Sequence, residues 1–164
     1  MHMLTIEIAA LKPGKNELEL RPDASEVDLD PGLFSNIRVN VTLHRQVGRI
    51  LVHVTARAFA RLECDRTLVM FEHPIEGSYT VLFAPPEMAD QIQENFDDLR
   101  VLYPTDQEID LTETTRETIL LAVPMRKIAP GAEETELKLS FGNEDNIDPR
   151  WDALRGLAAE GDTE

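Results

Sequence analysis

The longest run in which every second residue is apolar covers residues 50–64. Its apolar side chains fall on every even position: Ile50, Val52, Val54, Ala56, Ala58, Ala60, Leu62 and Cys64. A period of two gathers such a set on one face of a β-strand, whereas a helix would scatter it around its circumference. We therefore predict a long strand that buries the even residues and places Arg57 and Arg61 on the opposite face. The change from Val and Ile to Ala in its second half indicates close approach by another element.

Shorter alternating segments lie on both sides of this strand. They are Leu4/Ile6/Ile8, Val39/Val41/Leu43, residues 69–71 and Tyr79/Val81/Phe83. With turns at Gly48 and at residues 65–67, they predict a meander of antiparallel strands with short connections. Residues 17–20 are predicted to pair with the first strand. The acidic residues 23–32 are predicted as a loop, and a simple linker is favoured there over an acidic binding site.

Helix signals are concentrated in the last third of the chain. Asp110 or Thr112 can cap a helix, with Glu113 completing a capping box and Pro124 ending the helix. Residues 86–100 can hold one or two helical turns, and residues 137–141 a short edge strand. Asp148 as N-cap and Pro149 at the first helical position predict a C-terminal helix. The sequence thus predicts one α+β domain over residues 1–158, mainly an antiparallel β-sheet meander, followed by a frayed acidic tail at 159–164.

The chain is strongly acidic, but its charge is unevenly distributed. It has 164 residues, with 31 acidic against 16 basic side chains and a formal net charge of -15. Such a charge repels nucleic acid and anionic membranes on average. Residues 36–66, however, contain six arginines against two carboxylates, a local charge of +4. No apolar run approaches the roughly 20 residues needed to cross a bilayer. A single cysteine permits no internal disulfide, which is compatible with the cytoplasm.

Basic side chains recur every four residues on the polar side of the predicted long strand. Arg49, His53, Arg57 and Arg61 are about 13 Å apart in succession, and Phe59 lies between the last two. Guanidinium groups bind phosphate bidentately and an interleaved aromatic offers a stacking surface. The candidate nucleic-acid-binding residues are Arg49, His53, Arg57, Phe59, Arg61 and Arg66. The alternative is that these arginines pair with carboxylates across the sheet.

Three short segments, in order, carry a family resemblance. Cys64-Asp65-Arg66-Thr67-Leu68 resembles the Cys-x-Arg-Cys-Leu signature of the YceD family, with Thr67 in place of the second cysteine. The run that leads from residues 109–111 through 117–123 to Pro124 is similar to the second family segment. Asp148, Pro149 and Arg150 resemble the third. The matching residues are Cys64, Arg66, Leu68, Pro124, Asp148, Pro149 and Arg150.

The resemblance implies a bacterial, cytoplasmic factor for accumulation of large-subunit ribosomal RNA (23S rRNA), acting on that RNA or on an early assembly particle. One alternative is an acidic adaptor that binds a basic ribosomal protein without touching RNA. Another is a member that keeps the fold and has lost the ancestral activity together with its cysteines. No membrane and no small-molecule substrate is expected.

The residues themselves favour neither a cofactor site nor catalysis. The sequence contains no phosphate-binding glycine loop, no nucleophile elbow and no paired histidines, so we predict no enzyme and no cofactor. Cys64 has one thiol where a structural zinc site needs four ligands, so no metal site is expected. Its position in the even set predicts a buried small side chain. A reactive thiol is the alternative, against which burial is expected to raise its pKa.

Overall fold

The computed structural model describes residues 4–91 and 96–133. Within them, seven strands and one α-helix alternate with short 3₁₀ turns. The strands are β1 (Thr5–Glu7), β2 (Gly14–Leu20), β3 (Phe34–Gln46), β4 (Arg49–Glu63), β5 (Met70–Ala84), β6 (Asp98–Val101) and β7 (Glu108–Asp110), and the helix is α1 (Thr112–Leu121). The 3₁₀ turns are Ile8–Ala10, Ala24–Val27 and Pro86–Gln91.

The main sheet has the strand order β2-β3-β4-β5-β6. Its first four strands are sequential antiparallel neighbours, which confirms the mainly antiparallel character predicted from the alternation. Strand β6 departs from the predicted meander because it runs parallel to β5. Parallel neighbours need a crossover connection, and that between β5 and β6 contains residues 92–95, outside the described part of the chain.

One face of this sheet, the inner face, carries the core. The even residues of β4 are buried there, and Val52, Val54 and Ala60 are completely inaccessible. Helix α1 packs against β4 and β5 and also contacts the 3₁₀ turn Ala24–Val27. The helix approaches closely at Gly77, opposite Ala56 in the sheet register, since a Cβ atom built on Gly77 would lie 2.7 Å from the Thr118 carbonyl oxygen. The run of alanines therefore does mark a close approach by another element.

One prediction for the N-terminal part is wrong, and the loop predicted at residues 23–32 is present but is packed into the core. β2 pairs with β3 and not with β1, whose partner is the distant β7. Residues 23–32 are more than a linker, because Ala24, Val27 and Leu29 are buried in the core. Asp23 and Glu26 close a reciprocal capping box at the start of the 3₁₀ turn. Such a box satisfies two backbone N–H groups locally, so a short segment can be ordered without a sheet partner.

Strand β5 and the segment after it also differ from the prediction. β5 continues without a break through Pro74 and Gly77, although a proline removes one ladder donor. Proline is tolerated at a sheet edge, and β6 pairs only with the last four residues of β5, so Pro74 is on an edge. Residues 86–100 were predicted to hold one or two helical turns, and the 3₁₀ segment Pro86–Gln91 fits that prediction, whereas β6 (Asp98–Val101) was not predicted.

The predicted helix before Pro124 is present with a different cap. Its N-cap is Leu111, whose side chain cannot cap. The Asp110 carboxylate instead accepts a hydrogen bond from the Thr112 N–H at 2.8 Å, and Glu113 pairs with Arg100 at 3.0 Å rather than closing a capping box. The helix ends at Leu121, three residues before Pro124.

Several predictions fall outside the described residues and stay predictions. They concern the edge strand at 137–141, the C-terminal helix with Asp148, Pro149 and Arg150, the tail at 159–164 and the domain boundary at residue 158. Within residues 4–91 and 96–133, no helix is both long and apolar enough to cross a bilayer.

Candidate nucleic-acid interface

The odd residues of β4 line the outer face of the sheet, away from α1. His53, Arg57, Phe59 and Arg61 are exposed there, and the exposed fraction of Phe59 is 37%. The other odd residues of β4 are exposed or half-buried. The strand therefore does present basic and aromatic side chains to solvent on the side predicted from the sequence.

Arg57 is engaged in a cross-strand ion pair. Its Nε and Nη2 atoms donate to the two carboxylate oxygens of Glu76 on β5, at 2.9 and 3.2 Å. Hydrogen bonding and charge attraction within the pair raise the pKa of Arg57 and lower that of the Glu76 carboxyl. The alternative in which the arginines pair across the sheet thus holds for Arg57. Both side chains are largely exposed, so the pair contributes little to stability.

The neighbouring strands change the charge of the row of basic side chains on β4 formed by Arg49, His53, Arg57 and Arg61, here called the basic ridge. Glu72 lies directly opposite Arg61, as Glu76 lies opposite Arg57, so β5 sets a carboxylate beside each of the two arginines. On the other side, Arg38 of β3 lies directly opposite Arg57. Arg38 was missed as a candidate because only the strand register brings it to this face beside Arg57.

The remaining candidates on β4 are His53 and Arg49. The His53 ring contacts the Thr80 hydroxyl at 2.9 Å through Nδ1, so it is held against β5. Arg49 starts the strand, is half-buried, and donates from Nε to the Gln46 side chain at 2.6 Å across the hairpin turn. These contacts fix the orientation of both side chains on the sheet.

Arg66 does not belong to the outer face. It lies in the turn after β4 and donates from Nη1 to the carbonyl oxygens of Ala132 and Glu133. Next to it, Asp65 and Lys127 exchange two hydrogen bonds: the Asp65 N–H donates to the Lys127 carbonyl at 2.8 Å, and the Lys127 N–H donates to the Asp65 carboxylate at 2.7 Å. In this structure Arg66 thus helps the turn to hold residues 127–133, and its role as a nucleic-acid ligand stays a prediction.

Cys64 completes the same turn. Its side chain is buried, and its sulfur accepts a hydrogen bond from the Ala129 N–H at 3.3 Å. Leu68, four residues on, has a left-handed φ of 58° and donates its N–H to the Cys64 carbonyl. The Cys64, Arg66 and Leu68 positions of the family signature thus build a tight turn, and Pro124 lies just beyond the end of α1.

The expectation that the pKa of the Cys64 thiol is raised is wrong, although burial does act in that direction. The Ala129 N–H, the Thr67 hydroxyl and the N–H groups of Thr67 and Arg66 lower the pKa of Cys64 to about 7, and they outweigh the opposing effect of burial. Hydrogen-bond donors favour the charged form of an acid, because they stabilise the thiolate more than the thiol. Thr67, in the place of the second cysteine, is one of these donors.

This arrangement predicts a stability that depends on pH. An unfolded cysteine has a pKa of about 8.5, so the depressed folded pKa adds stability that is fully present above that value and is lost as the pH falls through about 7. Urea unfolding of the protein and of Cys64→Ser should give a stability difference that grows from pH 6.5 to pH 9. An equal difference at both pH values would contradict the lowered pKa.

We predict that the protein binds no stoichiometric zinc. Among residues 4–91 and 96–133, no group of three or more His, Cys, Asp or Glu side chains is placed to hold a metal ion. A structural zinc site needs four such ligands. We expect less than one zinc per chain by elemental analysis and an unchanged melting temperature in chelator. One zinc per chain, with chelator lowering the melting temperature, would refute this.

Comparison with known proteins places the turn at Cys64 and most of β4 within a family. A model of the family described as "Large ribosomal RNA subunit accumulation protein YceD" matches residues 52–158, which is more than half of the chain. No curated protein and no solved structure matches the chain. The matched region begins within β4 and includes Arg57, Phe59, Arg61 and the Cys64 turn. The chain belongs to the YceD family.

Proposed function

We propose that this protein is a non-enzymatic factor that supports accumulation of the large-subunit ribosomal RNA in the cytoplasm, by binding that RNA or an early assembly particle through the outer face of its sheet. The family match over residues 52–158 is the observation that carries the proposal. It contains the exposed side of β4, on which Arg61 and Phe59 are accessible to a partner.

Electrostatics set the expected strength of such binding. Phosphate contacts dominate the affinity of proteins for nucleic acid, and adjacent carboxylates weaken it. The net charge of -15 and the glutamates of β5 beside Arg57 and Arg61 both oppose an RNA strand. We therefore expect modest affinity that falls steeply with salt, and binding confined to the part of the outer face where arginines outnumber carboxylates.

A second candidate is an acidic adaptor that binds a basic ribosomal protein. The same net charge and the Arg57–Glu76 pair favour it, because a neutralised ridge offers less attraction to phosphate. Fluorescence anisotropy with large-subunit RNA fragments and with purified basic ribosomal proteins separates the two candidates.

Variants of the Arg57–Glu76 ion pair should change RNA affinity in opposite directions. Replacing both Arg57 and Arg61 with alanine should weaken RNA binding, whereas Glu76→Gln should strengthen it by releasing Arg57 from its carboxylate. Arg116→Ala, on the exposed side of α1, is the matched control and should leave binding unchanged. RNA affinity that is the same for the double variant, Glu76→Gln and the unaltered protein would exclude this ridge as the contact and favour the adaptor.

The role in the cell is tested by depletion. Loss of the protein should reduce the large ribosomal subunit relative to the small one in sucrose gradients, and the double variant should restore it less well than Arg116→Ala does. Normal subunit ratios after depletion would refute the proposed function.

A further inference from the structure

A β-bulge opens a cleft on the outer face of the sheet. Between the pairs Ser35–Phe59 and Arg38–Arg57, strand β3 advances by three residues and β4 by two. The extra residue is accommodated at Asn36, whose φ of 52° is left-handed, a conformation that asparagine tolerates better than most residues. Bulges redirect side chains and interrupt the ladder locally. The bulge here borders a cavity of about 510 Å³.

The cleft is lined by side chains from three adjacent strands. The lining residues are Asn36 and Arg38 from β3, Arg57, Ala58 and Phe59 from β4, and Pro74, Ile75 and Glu76 from β5; Ala58 and Ile75 are buried. Its volume lies within the usual range of about 300–1,000 Å³ for small-ligand sites. An apolar wall and a charged wall thus meet in one concavity of the size that a nucleotide needs.

The charged wall has one more cation than its carboxylate can neutralise. Arg38 and Arg57 are directly opposite each other on neighbouring strands, a placement that is unfavourable for like charges. Glu76 occupies the Nε and Nη2 atoms of Arg57 from the β5 side. Among the described residues, no hydrogen bond or ion pair engages the Arg38 guanidinium. An anion that approaches from the β3 side would therefore meet an uncompensated charge.

The apolar wall is provided by Phe59 and Pro74, which are opposite each other in the β4–β5 register. Phe59 retains 37% exposure although it lies in the middle of the sheet surface. An exposed ring next to a guanidinium is the pairing used by proteins that bind unpaired bases, because the ring stacks on a base while the cation binds the phosphate.

We propose that this cleft binds one nucleotide of a single-stranded RNA segment, with its base stacked on Phe59 and its phosphate held by Arg38. This rests on the proposed function and names the kind of RNA that it requires. Stacking is possible only for a base that is not already paired in a duplex, and it tolerates any base. The partner is thus an unpaired region of the RNA, recognised with little sequence preference.

The two walls predict different responses in a binding assay. A fluorescein-labelled oligoadenylate 10-mer serves as the single-stranded probe and a duplex of equal length as its comparison. Arg38→Ala removes one phosphate contact, so the slope of log affinity against log salt should fall by about 0.7. Phe59→Leu keeps an apolar side chain of similar size but loses the ring face, so affinity should fall roughly 5- to 100-fold with an unchanged slope.

Controls separate loss of contact from loss of structure. Phe59→Tyr keeps the ring face and should bind as tightly as the unaltered protein. Arg116→Ala, on the helix side of the sheet, removes the same charge outside the cleft and should keep both affinity and slope. Thermal melting of each variant verifies that the sheet is intact.

Each outcome decides between this cleft and the wider proposal. If the unaltered protein binds the 10-mer but Arg38→Ala and Phe59→Leu bind equally well, the cleft is refuted and RNA binding by another surface stands. Tighter binding of the duplex than of the 10-mer also refutes the cleft. If the protein binds neither probe nor any large-subunit RNA fragment, the cleft and the RNA mode of the proposed function fail together.

Discussion

Replacing Gly77 with alanine should lower the free energy of unfolding by about 1–3 kcal/mol. A Cβ atom at this position would lie 2.7 Å from the Thr118 carbonyl oxygen and 3.1 Å from the Ala122 Cβ. The carbonyl belongs to the last turn of α1, and Ala122 is the residue that follows the helix. Since the carbonyl is part of the helix backbone, it cannot move aside as a side chain would, and the helix must shift away from the sheet.

The measurement is urea unfolding of Gly77→Ala beside Gly32→Ala. At Gly32 an added Cβ would approach only the end of the Asp30 side chain, at 3.1 Å, so this control should be close to neutral. Ala122→Gly in the Gly77→Ala background should restore little of the stability, because the carbonyl contact remains. Equal stability of Gly77→Ala and the unaltered protein would mean that α1 does not pack this closely.

The local pattern predicted those parts of the fold that depend on short-range information. The apolar residues at the even positions of β4 identified its buried face. The alanines at 56, 58 and 60 indicated the close approach of another element, which is α1. The pairing of β1 with β7 joins residues that are about a hundred positions apart, and no local pattern specifies such a partner. The same holds for β6, because Asp98–Val101 is short, lies in an acidic segment and pairs in parallel.

The sequence predicted which face of the sheet carries the candidate site, but it did not predict the net charge of that site. Alternation placed Arg57, Phe59 and Arg61 on the outer face, whereas the partners of these residues follow from the register between strands. The register brings Glu76 to Arg57 and places Arg38 across from it. The sequence contained one signal for the bulge: Phe34 and Ile37 are both apolar, but one position is even and the other odd. The structure buries both side chains, which requires one extra residue in the strand between them.

Arg66→Ala should loosen residues 127–133 and lower the free energy of unfolding by about 1–2 kcal/mol. Its Nη1 atom donates to the Ala132 and Glu133 carbonyls, and no alanine side chain can replace these charge-assisted bonds. Amide hydrogen exchange at Lys127 and Ala129 reports on the effect directly. The N–H groups of these residues donate to the adjacent Asp65 carboxylate and Cys64 sulfur, so they should exchange faster when the turn no longer holds the segment.

A matched pair of variants shows whether the hydrogen bonds or the charge is responsible. Arg61→Ala removes an exposed arginine five residues earlier, on β4, and should change neither stability nor exchange at Lys127. Asp65→Asn keeps an acceptor for the Lys127 N–H and should have a smaller effect than Asp65→Ala. If exchange at Lys127 and Ala129 is as slow in Arg66→Ala as in the unaltered protein, the Arg66 side chain does not hold this segment.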